Sequence, residues 1–126
     1  MNAVADKECY RLDVDVQKNR LYFLIRGDWT SPKNFTEWIP DLEKATGQLK
    51  PGFTELIDWT GMTLISMTDA IVDHHELAMK AGIKKAARLF DQDHFVTFQL
   101  AWVSKETGFP IKVFYDRAEA ESWLDE

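Results

Sequence analysis

Hydrophobic and polar residues alternate near the start of the chain and change their spacing several times further on. The segment YRLDVDV alternates, QKN is a polar turn and RLYFLIRG is mostly apolar, so residues 10–27 are predicted to form an antiparallel hairpin. Later apolar runs predict three more strands, which are FTELIDW, KKAARLF and IKVFYD.

Segments in which apolar residues recur at helical spacing separate these strands. The first predicted helix starts with Ser31 as N-cap and Pro32 at its first position, and it kinks at Pro40 on its solvent side. The other predicted helices span residues 66–82, 91–108 and 116–126, with Gly82 and Gly108 ending the first two and Asp116 capping the last.

The predicted order of elements is β-β-α-β-α-β-α-β-α. Strands that alternate with helices favour parallel pairing through right-handed crossovers, so we expect an α/β fold with a mostly parallel five-stranded sheet. With 126 residues, the chain is long enough for one core and too short for two ordinary domains. We expect residues 1–8 to be a flexible N-terminus and residues 9–126 to form the domain.

The composition limits the partners and the compartment that we expect. The formal net charge is −6, which provides no basic surface for a nucleic-acid backbone. The only cysteine, Cys9, cannot form a disulfide within the chain, which suits a reducing compartment. No apolar window is long enough for a membrane span or for the core of a signal peptide. We therefore expect a cytoplasmic protein with no nucleic-acid partner and no cofactor.

Three segments carry a resemblance to a known family: RGDWTSPKNF, LIDWTGMTLISMTDA and VFYDRAEAESWL. Together with the order of elements, they resemble the STAS-type, SpoIIAA-like proteins over nearly the whole chain. The resemblance implies a βα superhelix, related to that of CRAL-TRIO lipid-binding proteins. It also implies a bacterial regulatory or protein-interaction module without chemistry of its own.

The turn that starts at Ser66 corresponds to a phosphorylated turn in part of that family. In anti-sigma-factor antagonists, a partner kinase phosphorylates a serine in a DSSG-like turn. Here the glycine is lost and the acid moves to the last position, where Asp69 would repel a phosphate on Thr68. Ser66 and Thr68 are interpreted as candidate N-caps. If the turn is phosphorylated, Thr68 is the first candidate phosphoacceptor and Ser66 the second.

Two adjacent histidines lie on the second predicted helix. Because the side chains of His74 and His75 diverge by about 100 degrees, they cannot ligate one metal ion from one helix face, and no metal site is predicted. His75 falls in the apolar stripe of the helix, and Asp73 falls on the opposite side. We expect His75 to face the core or a pocket, either as a core residue or in a catalytic site with Asp58 or Asp73.

Aspartate and tryptophan residues come near the predicted strand ends, where α/β proteins usually bind ligands. Each aspartate is either a site residue or a routine turn residue, and the tryptophans can line a shallow aromatic pocket. The ligand-binding candidates are Asp28, Trp29, Asp58, Trp59 and His75.

The third predicted helix is apolar over much of its circumference. Val96, Leu100 and Val103 are spaced i, i+4 and i+7, beside an aromatic stripe that we assign to the core. This ridge predicts the interface of a homodimer.

Four functions remain open from the sequence. The first is a non-enzymatic regulatory or protein-interaction module that self-associates, and the second is a carrier of a small apolar ligand or lipid. The third is an anti-sigma-factor antagonist switched by phosphorylation, and the fourth is an enzyme that uses His75. The sequence has no G-x-S-x-G elbow, Walker loop or G-x-G-x-x-G motif. We therefore assign no catalytic residue and favour the first function.

Overall fold

The computed structural model describes residues 1–29, 37–65, 68–91 and 108–126, without the side chains of residues 28–29, 62–65 and 68–71. The described elements are β1 (Asn2–Asp6), β2 (Tyr10–Asp15), β3 (Arg20–Trp29), α1 (Trp38–Thr46), β4 (Thr54–Ile65), α2 (Thr68–Lys80), β5 (Lys85–Leu89), β6 (Ile111–Phe114) and α3 (Arg117–Asp125).

The described strands form one sheet in which their spatial order is their order in the chain, from β1 to β6. β1, β2 and β3 pair antiparallel, as expected for strands joined by short turns. β3, β4, β5 and β6 pair parallel. The predicted α/β class and the mostly parallel sheet are therefore confirmed.

The predicted strand count was too low because the chain starts with a strand. β1 lies within residues 1–8, which we expected to be a flexible N-terminus, and it pairs with β2. Its register shifts between Ala3 and Ala5, and such an irregularity disturbs the alternation by which a strand is recognised in a sequence. The sheet therefore has six described strands where the pattern predicted five.

The two faces of the sheet bury separate sets of side chains, as the two-residue period of a strand requires. We call the face that α1 and α2 cover the inner face, and the face that α3 covers the outer face. The inner core includes Leu12, Phe23, Trp38, Leu42 and Ile57, and the outer core includes Leu56, Leu89, Phe114, Ala120 and Leu124.

Helix α1 begins at Trp38, and the start predicted at Ser31 and Pro32 lies outside the described residues. Pro40 is exposed, as predicted, and lies in the first turn of the helix. An N–H in the first turn has no partner within the helix, so the helix does not need the kink that we predicted there.

The C-terminal end of α2 confirms the cap predicted at Gly82. This glycine has a φ of +96°, in the left-handed region that favours glycine. Its N–H donates to the carbonyl of Met79 at 3.0 Å, and the N–H of Ile83 donates to the carbonyl of Ala78 at 3.1 Å. These two hydrogen bonds are the Schellman pattern of helix termination.

The N-terminal end of α3 confirms the cap predicted at Asp116. Its Oδ1 accepts a hydrogen bond from the backbone N–H of Glu119 at 3.0 Å, which satisfies one of the donors that a helix start leaves free. Most of the helix predicted over residues 91–108 lies outside the described residues. None of the helices in the described ranges is long and apolar enough to cross a membrane.

Strand β4 is longer than predicted. The pattern ended it at Trp59, but it continues to Ile65 beside β3, with two irregularities in the pairing. Pairing with β3 overrides the local turn preference of the Thr-Gly pair that follows Trp59. Asp58 and Trp59 therefore lie in the middle of a strand and not at its end.

Candidate functional site

Two opposite charges lie side by side within the inner core. Glu55 in β4 and Arg88 in β5 are joined by a hydrogen bond of 2.8 Å that Nη1 of Arg88 donates to Oε1 of Glu55. Their side chains are 0% and 1% exposed. Removal of two charges from water is costly, and the cost is recovered only where further hydrogen bonds satisfy the remaining polar atoms.

The two inner helices supply these further hydrogen bonds. Nε2 of His74, in α2, lies 2.8 Å from Oε2 of Glu55. Nε1–H of Trp38, in α1, donates to Nδ1 of His74 at 3.1 Å. Because an indole nitrogen can only donate, Nδ1 accepts and Nε2–H is the group that donates to Glu55. We call Trp38, His74, Glu55 and Arg88 the interior polar chain.

The interior polar chain keeps the carboxyl group of Glu55 ionised. Burial alone would raise the pKa of Glu55, but its interactions with His74 and Arg88 outweigh burial and lower that pKa to about 2. Both carboxylate oxygens accept a hydrogen bond. The negative charge of Glu55 therefore balances the positive charge of Arg88 inside the protein.

His75 is buried beside the interior polar chain, as its place in the apolar stripe of α2 predicts. Its ring stacks on Phe109, with 3.9 Å between the ring centroids and 9° between the planes. Burial and the nearby charge of Arg88 lower the pKa of His75 to about 2, so this imidazole is neutral near pH 7. His74, whose side chain diverges from that of His75 on the helix, is equally buried, at 1% exposure.

Trp59 and Arg88 each carry a buried N–H that has no hydrogen-bond partner in the described part of the chain, at Nε1 and Nε respectively. The two residues are 3% and 1% exposed. The indole of Trp59 stacks on Phe90, with 6.0 Å between the centroids, and the guanidinium of Arg88 lies 5.1 Å from the ring centroid of Phe109. Aromatic rings therefore border both N–H groups.

Neither aspartate that we considered as a catalytic partner lies beside His75. Asp58 is on the outer face of β4, where Nη1 of Arg117 donates to it at 3.3 Å and the hydroxyl of Thr60 donates to it at 2.6 Å. The sheet thus separates Asp58 from the inner face. Asp73 is exposed on α2. The structure therefore does not bring together the pairs Asp58–His75 and Asp73–His75.

The other candidate residues have different outcomes. Trp59 is a core residue and does not line a shallow rim, because β4 continues beyond it. α2 begins at Thr68, so Thr68 is the first residue of the helix and not the N-cap residue that precedes it. Several candidates lie outside the described residues, namely Ser66, Val96, Leu100, Val103 and the side chains of Asp28, Trp29 and Thr68.

The hydrogen-bonding atoms of His74 and Glu55 are all occupied within the interior polar chain. The pair of His74 and Glu55 resembles the imidazole and carboxylate of a hydrolase triad, but the second ring nitrogen binds the indole N–H of Trp38, which is no nucleophile. Within the described ranges, no group of three or more His, Cys, Asp or Glu residues could hold a metal ion. The interior polar chain therefore holds α1 and α2 against the sheet.

Sequence reasoning missed Glu55 and Arg88, although the sequence carries a signal for both. Each is a charged residue inside a strand of the parallel part of the sheet, and such strands are buried on both faces. A buried charge needs a partner. Glu55 and Arg88 have opposite charges and lie on neighbouring strands, which predicts that they pair. A buried pair needs a further hydrogen-bonding group, and His74 is a polar residue on the next helix.

The mixed sheet of six described strands, with α1 and α2 on one face and α3 on the other, has the arrangement of a SpoIIAA-like α/β fold. A search of solved structures finds a similar crystal structure at 2.25 Å resolution, that of an uncharacterized protein of the DUF3478 family with a SpoIIAA-like fold from Shewanella loihica PV-4. The TM-score is 0.68 and the sequence identity is 22%, over 95% of this chain and 97% of that chain.

The sequence comparisons add nothing to this structural likeness. No protein-family model matches the sequence, and a search of the curated proteins gives no match. The SpoIIAA-like fold that the sequence resemblance implied is confirmed by the structural neighbour.

Proposed function

We propose that this protein is a non-enzymatic regulatory or protein-interaction module of the STAS type. One observation within the SpoIIAA-like fold carries the proposal. The imidazole and carboxylate that most resemble a catalytic pair, His74 and Glu55, have their hydrogen-bonding atoms occupied by each other and by Trp38 and Arg88. Groups that hold two helices against a sheet are poorly placed to act on a substrate, which supports a binding role. The single cysteine, Cys9, supports a cytoplasmic location.

In this proposal the module forms a homodimer through the ridge of Val96, Leu100 and Val103. These residues lie outside the described ranges, so the support is their spacing at i, i+4 and i+7 in the sequence. A ridge of this kind can pair with its own copy about a two-fold axis, the commonest symmetry of small homo-oligomers.

Sedimentation equilibrium of three proteins tests the dimer. Leu100→Lys puts a charge into the ridge and should weaken a dimer by about tenfold or more, since central interface residues carry most of the binding energy. Val16→Lys is the matched control, because Val16 is 54% exposed in the turn between β2 and β3, and it should leave the dimer unchanged. A wild-type protein that stays monomeric at every concentration would contradict self-association, and an unfolded Leu100→Lys variant would place Leu100 in the core.

Carriage of a small apolar ligand is the second candidate, and the buried N–H groups of Trp59 and Arg88 favour it. Native mass spectrometry of protein from its own host distinguishes the two functions. A dimer without added mass supports the interaction module, whereas a retained small-molecule mass supports the carrier. Stoichiometric phosphate on Ser66 or Thr68 in the same sample would support a phosphorylation-switched antagonist.

A further inference from the structure

Trp59 and Arg88 are neighbours on the inner face of the sheet. Arg88 lies opposite Ile57 in the pairing of β4 with β5, and Trp59 follows Ile57 by two residues, so all three side chains are on the same face. With a rise of about 3.3 Å per residue and about 4.8 Å between strands, the positions of Trp59 and Arg88 are about 8 Å apart. Side chains as long as these can approach the same bound molecule.

The guanidinium of Arg88 has one edge that Glu55 occupies and one edge that it does not. Nη1 donates to Glu55, and Nε–H lies on the opposite edge of the planar group. Glu55 and Trp59 lie on either side of Ile57 along β4. Nε–H is therefore a donor of Arg88 that Glu55 does not occupy, and it belongs to a residue on the same face of the sheet as Trp59.

We propose that Nε1–H of Trp59 and Nε–H of Arg88 form a binding site for the acceptor oxygen of a small, neutral, largely apolar molecule that contains a carbonyl group. Buried donors in proteins are normally hydrogen-bonded, and one that is left without a partner is costly. Neither donor has a partner among the described residues. A carbonyl oxygen has two lone pairs and can accept from both.

The charge balance of the interior favours a neutral ligand over an anion. The carboxylate of Glu55 already balances the guanidinium of Arg88, and the ring of His74 accepts from Trp38 and donates to Glu55. Burial and the charge of Arg88 keep His75 uncharged by lowering its pKa to about 2. An added anion would therefore carry an uncompensated buried charge, which is strongly unfavourable.

The residues around the two donors favour a ligand with an apolar body. Phe90 stacks on Trp59, and Phe109 lies against both His75 and Arg88. Phe90 and Phe109 are 1% and 3% exposed, so buried aromatic rings lie next to both donors. A few polar groups within apolar walls are typical of small-molecule sites. The inference goes beyond the proposed interaction module and does not depend on self-association.

NMR titration of the ¹⁵N-labelled full chain tests the site, because the indole N–H of Trp59 and the Nε–H of Arg88 can be observed directly. The probe is cyclohexanone. Methylenecyclohexane is the matched control with the same shape and no acceptor oxygen, and cyclohexanecarboxylate is the anionic control. Cyclohexanone should shift both N–H resonances in a saturable way, and each control compound should bind at least threefold more weakly.

Two conservative variants assign the effect to the two donors. Trp59→Phe keeps a ring and removes the N–H, and Arg88→Lys keeps the charge and removes Nε–H. Each should weaken cyclohexanone binding about three- to tenfold, as expected for the loss of one hydrogen bond. Trp123→Phe and Arg117→Lys are the matched controls, because both residues belong to α3 on the outer face, and they should bind as the wild type does.

Several results would overturn the inference. Unshifted resonances, equal affinity for methylenecyclohexane or tighter binding of cyclohexanecarboxylate would each contradict a neutral-acceptor site. Equal weakening in the α3 control variants would contradict its location. A long-lived water beside the two N–H groups that cyclohexanone does not displace would assign them to structural water. If Arg88→Lys does not fold by circular dichroism, Trp59→Phe decides the question alone.

Discussion

At the scale of single residues, the buried ion pair of Glu55 and Arg88 should tolerate substitution poorly. Glu55→Gln would leave the guanidinium of Arg88 buried without a counter-charge, and breaking a buried pair costs about 3–5 kcal/mol. Urea unfolding should therefore show a loss of free energy of unfolding of about that size. A loss of about 0–1 kcal/mol, as for an exposed ion pair, would contradict the buried arrangement.

The control for this experiment is a double variant. Glu55→Gln combined with Arg88→Met removes both charges and leaves no isolated one. Its loss of unfolding free energy should be smaller than the sum of the losses in the two single variants, because paired residues are not additive. Additive losses would mean that Glu55 and Arg88 do not interact.

His75 should make the protein less stable in mild acid. Its pKa is lowered to about 2 in the folded protein and returns to about 6.5 in the unfolded chain. As the pH falls, His75 is therefore protonated in the unfolded chain before it is protonated in the folded protein, and the free energy of unfolding decreases below about pH 6.5. Each pH unit costs about 1.4 kcal/mol, which amounts to about 2 kcal/mol by pH 5.

Urea unfolding at pH 7.5 and pH 5 measures this effect. His75→Gln should lose less stability between the two pH values than the wild type does, whatever its stability at pH 7.5. Glu76→Gln changes an exposed residue on the same helix and should retain the pH dependence of the wild type. An unchanged pH dependence in His75→Gln would mean that His75 is not buried as a neutral ring.

At the scale of elements, the turn that ends α2 lies close to the turn that precedes β4. A Cβ atom at Gly82 would lie 3.0 Å from Cα and Cβ of Pro51, whereas a Cβ at Gly52, whose φ is +91°, would meet nothing within 4 Å. Gly82→Ala should therefore cost more than Gly52→Ala, which suffers only the backbone strain of about 1–3 kcal/mol. Thermal unfolding of both variants measures the difference, and equal losses would mean that the contact with Pro51 relaxes freely.

The start of α3 offers a second test at the scale of elements. Asp116 accepts a hydrogen bond from the N–H of Glu119, so Asp116→Ala should lower the free energy of unfolding by about 0.5–2 kcal/mol. Asp116→Asn keeps an acceptor oxygen and should lose less. Equal losses in urea unfolding would show that the side chain of Asp116 does not cap the helix.

At the scale of the whole molecule, local rules predicted most of the architecture and missed the features that depend on distant partners. The caps at Gly82 and Asp116 and, within the described residues, the alternation of strands and helices are set by nearby residues, and these predictions are confirmed. The extension of β4 exists because β3 pairs with it. His74 is buried between Trp38 of α1 and Glu55 of β4, which are 36 and 19 positions away in the chain. The periodicity of apolar residues does not identify a polar side chain that is buried through such distant partners.

Strand β1 is the largest feature that the pattern missed, and its contribution can be measured. It lies at the edge of the sheet, where it pairs with β2 and contributes Ala5 to the inner core. Deletion of residues 2–6 would remove this pairing, at about 0.5–1.5 kcal/mol for each hydrogen bond lost. It would also expose the edge of β2, and an exposed edge favours association between chains.

The matched control for the deletion is Asp6→Asn, which removes only the ion pairs of this strand. Asp6 binds Arg26 at 2.6 Å and Arg11 at 3.3 Å, but these side chains are partly exposed, so the pairs contribute little. Urea unfolding should show a clear loss of stability for the deletion and almost none for Asp6→Asn, and sedimentation should show association of the deletion variant alone. If the deletion variant is as stable and as monodisperse as Asp6→Asn, the backbone pairing of β1 adds nothing to the stability of the sheet. The first residues then act as the flexible N-terminus that the sequence pattern predicts.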